Sequence, residues 1–121
     1  MMTEYTPDNW VVIKFTQQVK SGNTGYGRTE KVFYKVLGGW SGGYLDGDSW
    51  RMNSGITKVE IYGEHYIFHG ESGSEYWCHM ETYGLRMNNA GIYKDLCLQQ
   101  EFKGQIILMP EDTKWTNIKY D

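Results

Sequence analysis

The segment Ile56–His69, which reads ITKVEIYGEHYIFH, constrains the fold more than any other part of the chain. Two β-branched and aromatic runs, Ile56–Tyr62 and His65–His69, flank Gly63-Glu64. Glycine at the first of two central positions is the signature of a type II′ hairpin turn. That turn predicts the register: Tyr62 opposite His65, Ile61 opposite Tyr66, Val59 opposite Phe68 and Lys58 opposite His69. Side chains alternate across a strand, so Val59, Ile61, Tyr66 and Phe68 share one face, expected to be buried. Lys58, Glu60, Tyr62, His65 and His69 share the other face with Ile67, expected to meet water. A chain with this hairpin is committed to an antiparallel sheet.

Further strands are predicted on both sides of it. Trp10–Val19 and Lys31–Leu37 are rich in β-branched and aromatic residues, and the turn cluster Ser21–Gly27 joins them as a hairpin. Gly70–Ser74 is a second turn, after which Glu75–Met80 continues the meander, with large apolar groups on both of its faces. The helix is expected from Ala90 to about Lys103, with Asn89 as its N-cap and Gly104 just past its end. Ile92, Tyr93, Leu96 and Cys97 fall on one side of it and Leu98 and Phe102 on another, so it is either buried on two sides or ends early. Gln105–Met109 is a last short strand, stopped by Pro110. The expectation is an α+β fold: a mostly antiparallel sheet of five to six strands with one helix near residues 90–103 packed on one face. Residues 1–121 read as a single domain, with 1–8 a polar leader that frays and 111–121 an extended C-terminal arm.

Composition limits the function classes. Aromatics make up 16% of the 121 residues, with ten tyrosines and five tryptophans, which suits interfaces and ligand pockets as well as a core. The formal net charge of −3 argues against binding a nucleic-acid backbone, which needs a basic face. The N-terminal MMTEYTPDNW lacks the basic start and apolar run of a signal peptide, and no apolar run approaches the roughly 20 residues needed to cross a membrane. A soluble, intracellular protein is expected, with Cys78 and Cys97 as reduced, buried thiols rather than a bridge.

The stretch most suited to function is Gly38–Gly55, GGWSGGYLDGDSWRMNSG, with six glycines in eighteen residues. That many glycines reads as a long loop rather than a strand. Glycine lets a backbone approach a ligand and present its N–H groups. Trp40, Tyr44 and Trp50 offer stacking faces, Arg51 a two-pronged partner for phosphate or carboxylate, and Asn53 and Ser54 polar edges. Ser72 and Ser74, in the next glycine-serine turn, are expected to face the same way. This set fits a nucleotide-like ligand. The alternative is architectural: Trp40 and Trp50 pack over a sheet end and Arg51 caps carbonyls.

Catalytic and metal motifs do not emerge. Asp46-Gly47-Asp48 begins like a calcium loop, but Trp50 falls where an oxygen ligand is needed and Thr57 where the bidentate glutamate is needed. His65 and His69 stand two pleats apart, too far to chelate one ion easily, and no recognised zinc spacing brings in His79 or Cys78. The Ser72 region has no nucleophile elbow, and Gly22-x-x-Gly25-x-Gly27 lacks the helix that dinucleotide binding requires. No cofactor and no catalytic residue is assigned on these grounds.

The segments GGWSGGYLDGDSWRMNSGITKVE, FHGESGSEYWCHMETYGL and MPEDTKW resemble small accessory proteins of tailed bacteriophages, across about residues 32–116. The resemblance carries over no site residue. It implies a counter-defence or host-takeover factor in the host-cell cytoplasm, one that sequesters a nucleotide-type immune signal (cyclic or ADP-ribose-like) or occludes a host protein. Two other functions stand beside it: a small enzyme cleaving a nucleotide with His65, His69 or His79 as acid or base, and a minor virion component. A homo-oligomer is also expected from the tyrosine and tryptophan content.

Overall fold

The structure, a computed structural model, describes residues 3–20, 28–43, 47–99 and 104–120. The expected turn at Ser21–Gly27 lies outside them, as do Tyr44, Asp46 and Phe102. Eight strands and one helix follow in the order β1 (Glu4–Tyr5), β2 (Asn9–Lys20), β3 (Arg28–Gly43), β4 (Gly47–Met52), β5 (Ile56–Tyr62), β6 (His65–Gly70), β7 (Glu75–His79), α1 (Ala90–Leu98) and β8 (Gly104–Leu108). A single 3₁₀ turn, Trp115–Asn117, comes last.

The fold is α+β and mostly antiparallel, but the strands form two four-stranded sheets rather than one sheet of five to six. One has the order β1-β7-β6-β5 and the other β4-β3-β2-β8. The extra strands come from glycine-rich and terminal segments that propensity reads as irregular. Gly38–Gly55, expected as a loop, is largely paired: Leu37, Gly38, Gly39 and Trp40 of β3 lie opposite Met52, Arg51, Trp50 and Ser49 of β4, with a bulge beyond Trp40. Its glycines serve close approach. A Cβ on Gly39 would sit 2.1 Å from Asn88 Oδ1, and one on Gly38 would sit 3.0 Å from Pro7 Cβ. At the other end of the chain, Glu4 and Tyr5 of the expected leader pair in parallel with Glu75 and Tyr76.

The β5–β6 hairpin has the predicted register at every pair. Gly63 has φ 59°, and among the described residues no non-glycine has positive φ, as a II′ turn requires. The burial of its two faces is less simple. Phe68 is buried against the second sheet with Val59 and Tyr66 beside it, but Ile61, on that same face, is 56% exposed. Ile67, expected in water, is buried; it stands between Glu60 and Trp77 in the ladder.

The two sheets pack face to face over Trp10, Val12, Tyr34 and Val36 from one and Ile56, Phe68, Tyr76 and Cys78 from the other, with Trp115 between them. The opposite face of the β2–β3 sheet, carrying Val11, Ile13, Phe15 and Leu37, packs on Ile92, Tyr93 and Leu96 of α1. The molecule is thus sheet on sheet on helix. Strand β2 is buried on both faces, which explains its near-continuous apolar run Trp10–Ile13.

The helix stops at Leu98, not Lys103, and Gly104 opens β8 instead of capping it. Its split apolar pattern follows, since Leu98 is exposed. Asn89 precedes the helix but its side chain caps nothing: Oδ1 accepts from Arg86 N–H at 2.8 Å and Nδ2 donates to Leu37 O. It belongs to a buried amide cluster in which Asn9 Nδ2 donates to Asn88 Oδ1 at 3.1 Å and Asn88 Nδ2 donates back at 2.6 Å. Both cysteines are free; Cys78 is buried as expected, whereas Cys97, expected to be buried, is exposed. No helix among the described residues is long and apolar enough to cross a membrane.

Candidate functional site

Between β4 and β5 the chain leaves one sheet and enters the other through Asn53, Ser54 and Gly55. Gly55 turns the corner at φ 144°, a conformation that favours glycine. The turn after β6 lies alongside: Glu71 N–H donates to Gly55 O at 2.9 Å and Ser72 N–H to Ser54 Oγ at 3.0 Å. A cleft of about 400 Å³ opens here, lined by Arg51, Asn53, Ser54, Ser72, Ser74 and Tyr76 among others. Five of the eight residues proposed from sequence therefore meet in one place.

The serine hydroxyls form a chain, Ser54 Oγ to Ser72 Oγ at 3.2 Å and Ser72 Oγ to Ser74 Oγ at 3.4 Å. Gly70 makes room for it, because a Cβ there would lie 2.9 Å from Ser74 Oγ and 3.2 Å from Ser54 Oγ. Asn53 is 3% exposed. It extends the β4 ladder with its side chain: its backbone N–H donates to Val36 O at 3.0 Å, and its Oδ1 accepts from Val36 N–H at 2.8 Å. Val36 needs an acceptor there, which fixes the amide orientation and leaves Nδ2 over. That nitrogen finds no hydrogen-bond partner among the described residues. A buried donor without a partner costs about 1–3 kcal/mol, so it marks where an acceptor belongs.

Arg51 lies beside this cleft with its guanidinium over the Tyr5 ring, 4.7 Å from the centroid. Tyr5 in turn packs on Tyr76 with centroids 5.0 Å apart. A guanidinium held over a ring by its face keeps its N–H edges for hydrogen bonds. No carboxylate among the described residues is within ion-pair distance of it (the ion pairs are Lys58–Glu60, His69–Glu60, His69–Glu75 and His79–Glu64). Burial pushes the Tyr76 phenol up to about 12, so near neutrality it is a hydroxyl and not a phenolate. The cleft thus offers donors and hydroxyls. Among the described residues, its lining holds no carboxylate, imidazole or thiol.

A second cleft of about 420 Å³ shares Tyr5 and Arg51 with the first and adds Trp40, Trp50, Glu4 and Ser49. Trp40 is half-buried, donates Nε1–H to Thr6 O at 3.0 Å and meets Tyr5 edge-on. Trp50 is 47% exposed and borders the cleft along β4, where strand alternation turns it to the opposite face from Arg51. Tyr44 lies outside the described residues. Tyr5, absent from the sequence-derived set, links both clefts; it sits in a segment that reads as a leader, and only its pairing with Tyr76 brings it in.

The three histidines stand elsewhere, on the outward face of the β5–β6–β7 sheet. His69 lies between Glu60, 2.7 Å from its Nε2, and Glu75, 3.9 Å from its Nδ1. The His69 hydrogen bond, with Lys58 nearby, lowers the Glu60 carboxyl below its ordinary value. His79 accepts from Glu81 N–H at Nδ1 and meets Glu64 at Nε2, 3.1 Å away, so both nitrogens are committed. His65 contacts the rings of His79 and Trp77. Among the described residues, no group of three or more His, Cys, Asp and Glu side chains is placed to hold a metal ion.

Comparison with protein families, with curated proteins and with solved structures returns no match to this chain.

Proposed function

We propose that the chain is a binding protein that captures a small anionic ligand of nucleotide type in the serine cleft. The observation that carries this reading is Asn53 Nδ2, a buried donor with no partner among the described residues, on a residue that lines a cleft with Arg51 and three serines. Convergent donors with a free guanidinium edge suit a phosphate or carboxylate group, which accepts only. Among the described residues the lining supplies donors and hydroxyls rather than a carboxylate, imidazole or thiol, which suits capture. Taken with the resemblance to phage accessory proteins, the reading becomes sequestration of a nucleotide signal used in host defence. Calorimetry with a panel of nucleotides tests it: micromolar or tighter binding, with the nucleotide recovered intact after denaturation, is the expected result. Absence of heat across mono-, di- and cyclic nucleotides overturns it.

A second reading, nucleotide cleavage by histidine acid–base chemistry, has one observation in its favour, the placement of His69 between two carboxylates. Against it, no histidine lines either cleft. Release of a cleaved product by wild-type protein, lost in His69→Ala, would replace capture with this reading.

A further inference from the structure

Two adjoining clefts of nearly equal volume, about 400 and 420 Å³, differ in their lining. The first adds the hydroxyls of Ser54, Ser72 and Ser74 and the Asn53 amide to the rings of Tyr5 and Tyr76. The second is walled by the aromatic rings of Trp40 and Tyr5 and carries the Glu4 carboxylate. Arg51 borders both, with its guanidinium over the Tyr5 ring that the two clefts share. A carboxylate in the aromatic cleft repels an anionic group, which leaves Arg51 and the serine cleft as the place for negative charge. An aromatic wall with one acceptor suits a heterocycle bearing an amino group, since stacking accepts any ring and a carboxylate accepts from an exocyclic amine.

Resting on the capture of an anionic ligand at the serine cleft, we infer that this ligand is asymmetric. One amino-bearing base lies beside Trp40 and Tyr5, its phosphate meets Arg51, and a hydroxyl- or phosphate-rich arm runs among Ser54, Ser72 and Ser74. A ligand with two bases and no polar arm fits only half of this surface. The ring at Trp40 supplies affinity that a sugar phosphate alone lacks, while Asn53 and the serines hold what the base does not reach.

Calorimetry with adenosine 5′-monophosphate, ribose 5-phosphate and inorganic phosphate separates the two claims. The nucleotide is expected to bind at least about tenfold more tightly than ribose 5-phosphate, the range of one base–aromatic stack. Trp40→Ala is expected to remove that advantage, bringing the nucleotide's affinity down to that of ribose 5-phosphate. If Trp40→Ala does not fold, quenching of wild-type tryptophan fluorescence by the nucleotide but not by ribose 5-phosphate reads the same contact. Equal affinity for nucleotide and sugar phosphate overturns the asymmetric assignment while capture stands. Failure of all three probes to bind overturns both.

Discussion

Asn53 and Val36 hold each other through two hydrogen bonds, one backbone to backbone at 3.0 Å and one from Val36 N–H to the Asn53 side chain at 2.8 Å. The side-chain oxygen does the work of the next ladder carbonyl, so the chain can leave one sheet for the other without stranding Val36. The remaining amide nitrogen stays buried, with no partner among the described residues, on a residue that lines the cleft. Architecture and candidate site therefore share one residue. Asn53→Ala is predicted to destabilise the fold by about 1–3 kcal/mol, the cost of leaving Val36 N–H buried and unpaired, measured by urea unfolding.

Arg51 is exposed, and among the described residues its guanidinium lies over the Tyr5 ring, so its replacement should perturb the fold little. Arg51→Ala is predicted to weaken a phosphate-bearing ligand by about 1–3 kcal/mol. Arg51→Lys restores only part of this, since an ammonium lacks the planar fork. Calorimetry on the three proteins checks the order.

Among the described glycines, Gly39 is the one where an added Cβ meets the closest contact. A Cβ there overlaps Asn88, whose Oδ1 would be 2.1 Å away, and Asn88 is held by Asn9 from both ends of its amide. Gly39→Ala is predicted to lower stability by about 3 kcal/mol, combining overpacking with a broken buried amide pair. Thermal unfolding measures it.

The C-terminal segment is part of the core. Trp115 is 1% exposed and touches the rings of Trp10, Phe68 and Tyr83. Trp115→Ala is predicted to cost about 3–5 kcal/mol, as for a large aromatic removed from a packed interior. Chemical denaturation is the test.

Alkali probes the phenols of buried Tyr76 and half-buried Tyr83. Burial raises Tyr76 and Tyr83 from 10.0 to about 12. A group whose pKa is higher in the folded state stabilises it below the unfolded value, and that stability is lost as pH rises through the folded value. Stability is therefore predicted to fall between pH 10.0 and about 12. Tyrosinate absorbance should show these two residues ionising late and together with unfolding.

Much of the fold is legible in particular residues. Gly63 at the first turn position predicts the whole β5–β6 register, because a two-residue turn leaves no freedom. The pairing of β2 with β3 follows from two apolar runs around a turn cluster, and both runs pair as read. What escapes are features set by tertiary partners. Gly38 and Gly39 read as a loop because the reasons for them, Pro7 and Asn88, are far away in sequence. Asn89 reads as a helix cap, yet it is buried with Asn9 and Asn88 because the three amides satisfy one another. For the candidate site, the polar members Arg51, Asn53, Ser54, Ser72 and Ser74 are readable as donors next to glycines. Tyr5 and the leftover Asn53 nitrogen are not, since each depends on a strand pairing that composition does not encode.

The side-chain amide of Asn53 reports most directly on the central claim. In a ¹⁵N-resolved NMR titration with adenosine 5′-monophosphate, its NH₂ signals are predicted to shift and saturate in step with binding, as the buried donor gains an acceptor. Signals that stay in place while the nucleotide is added to saturation would contradict it.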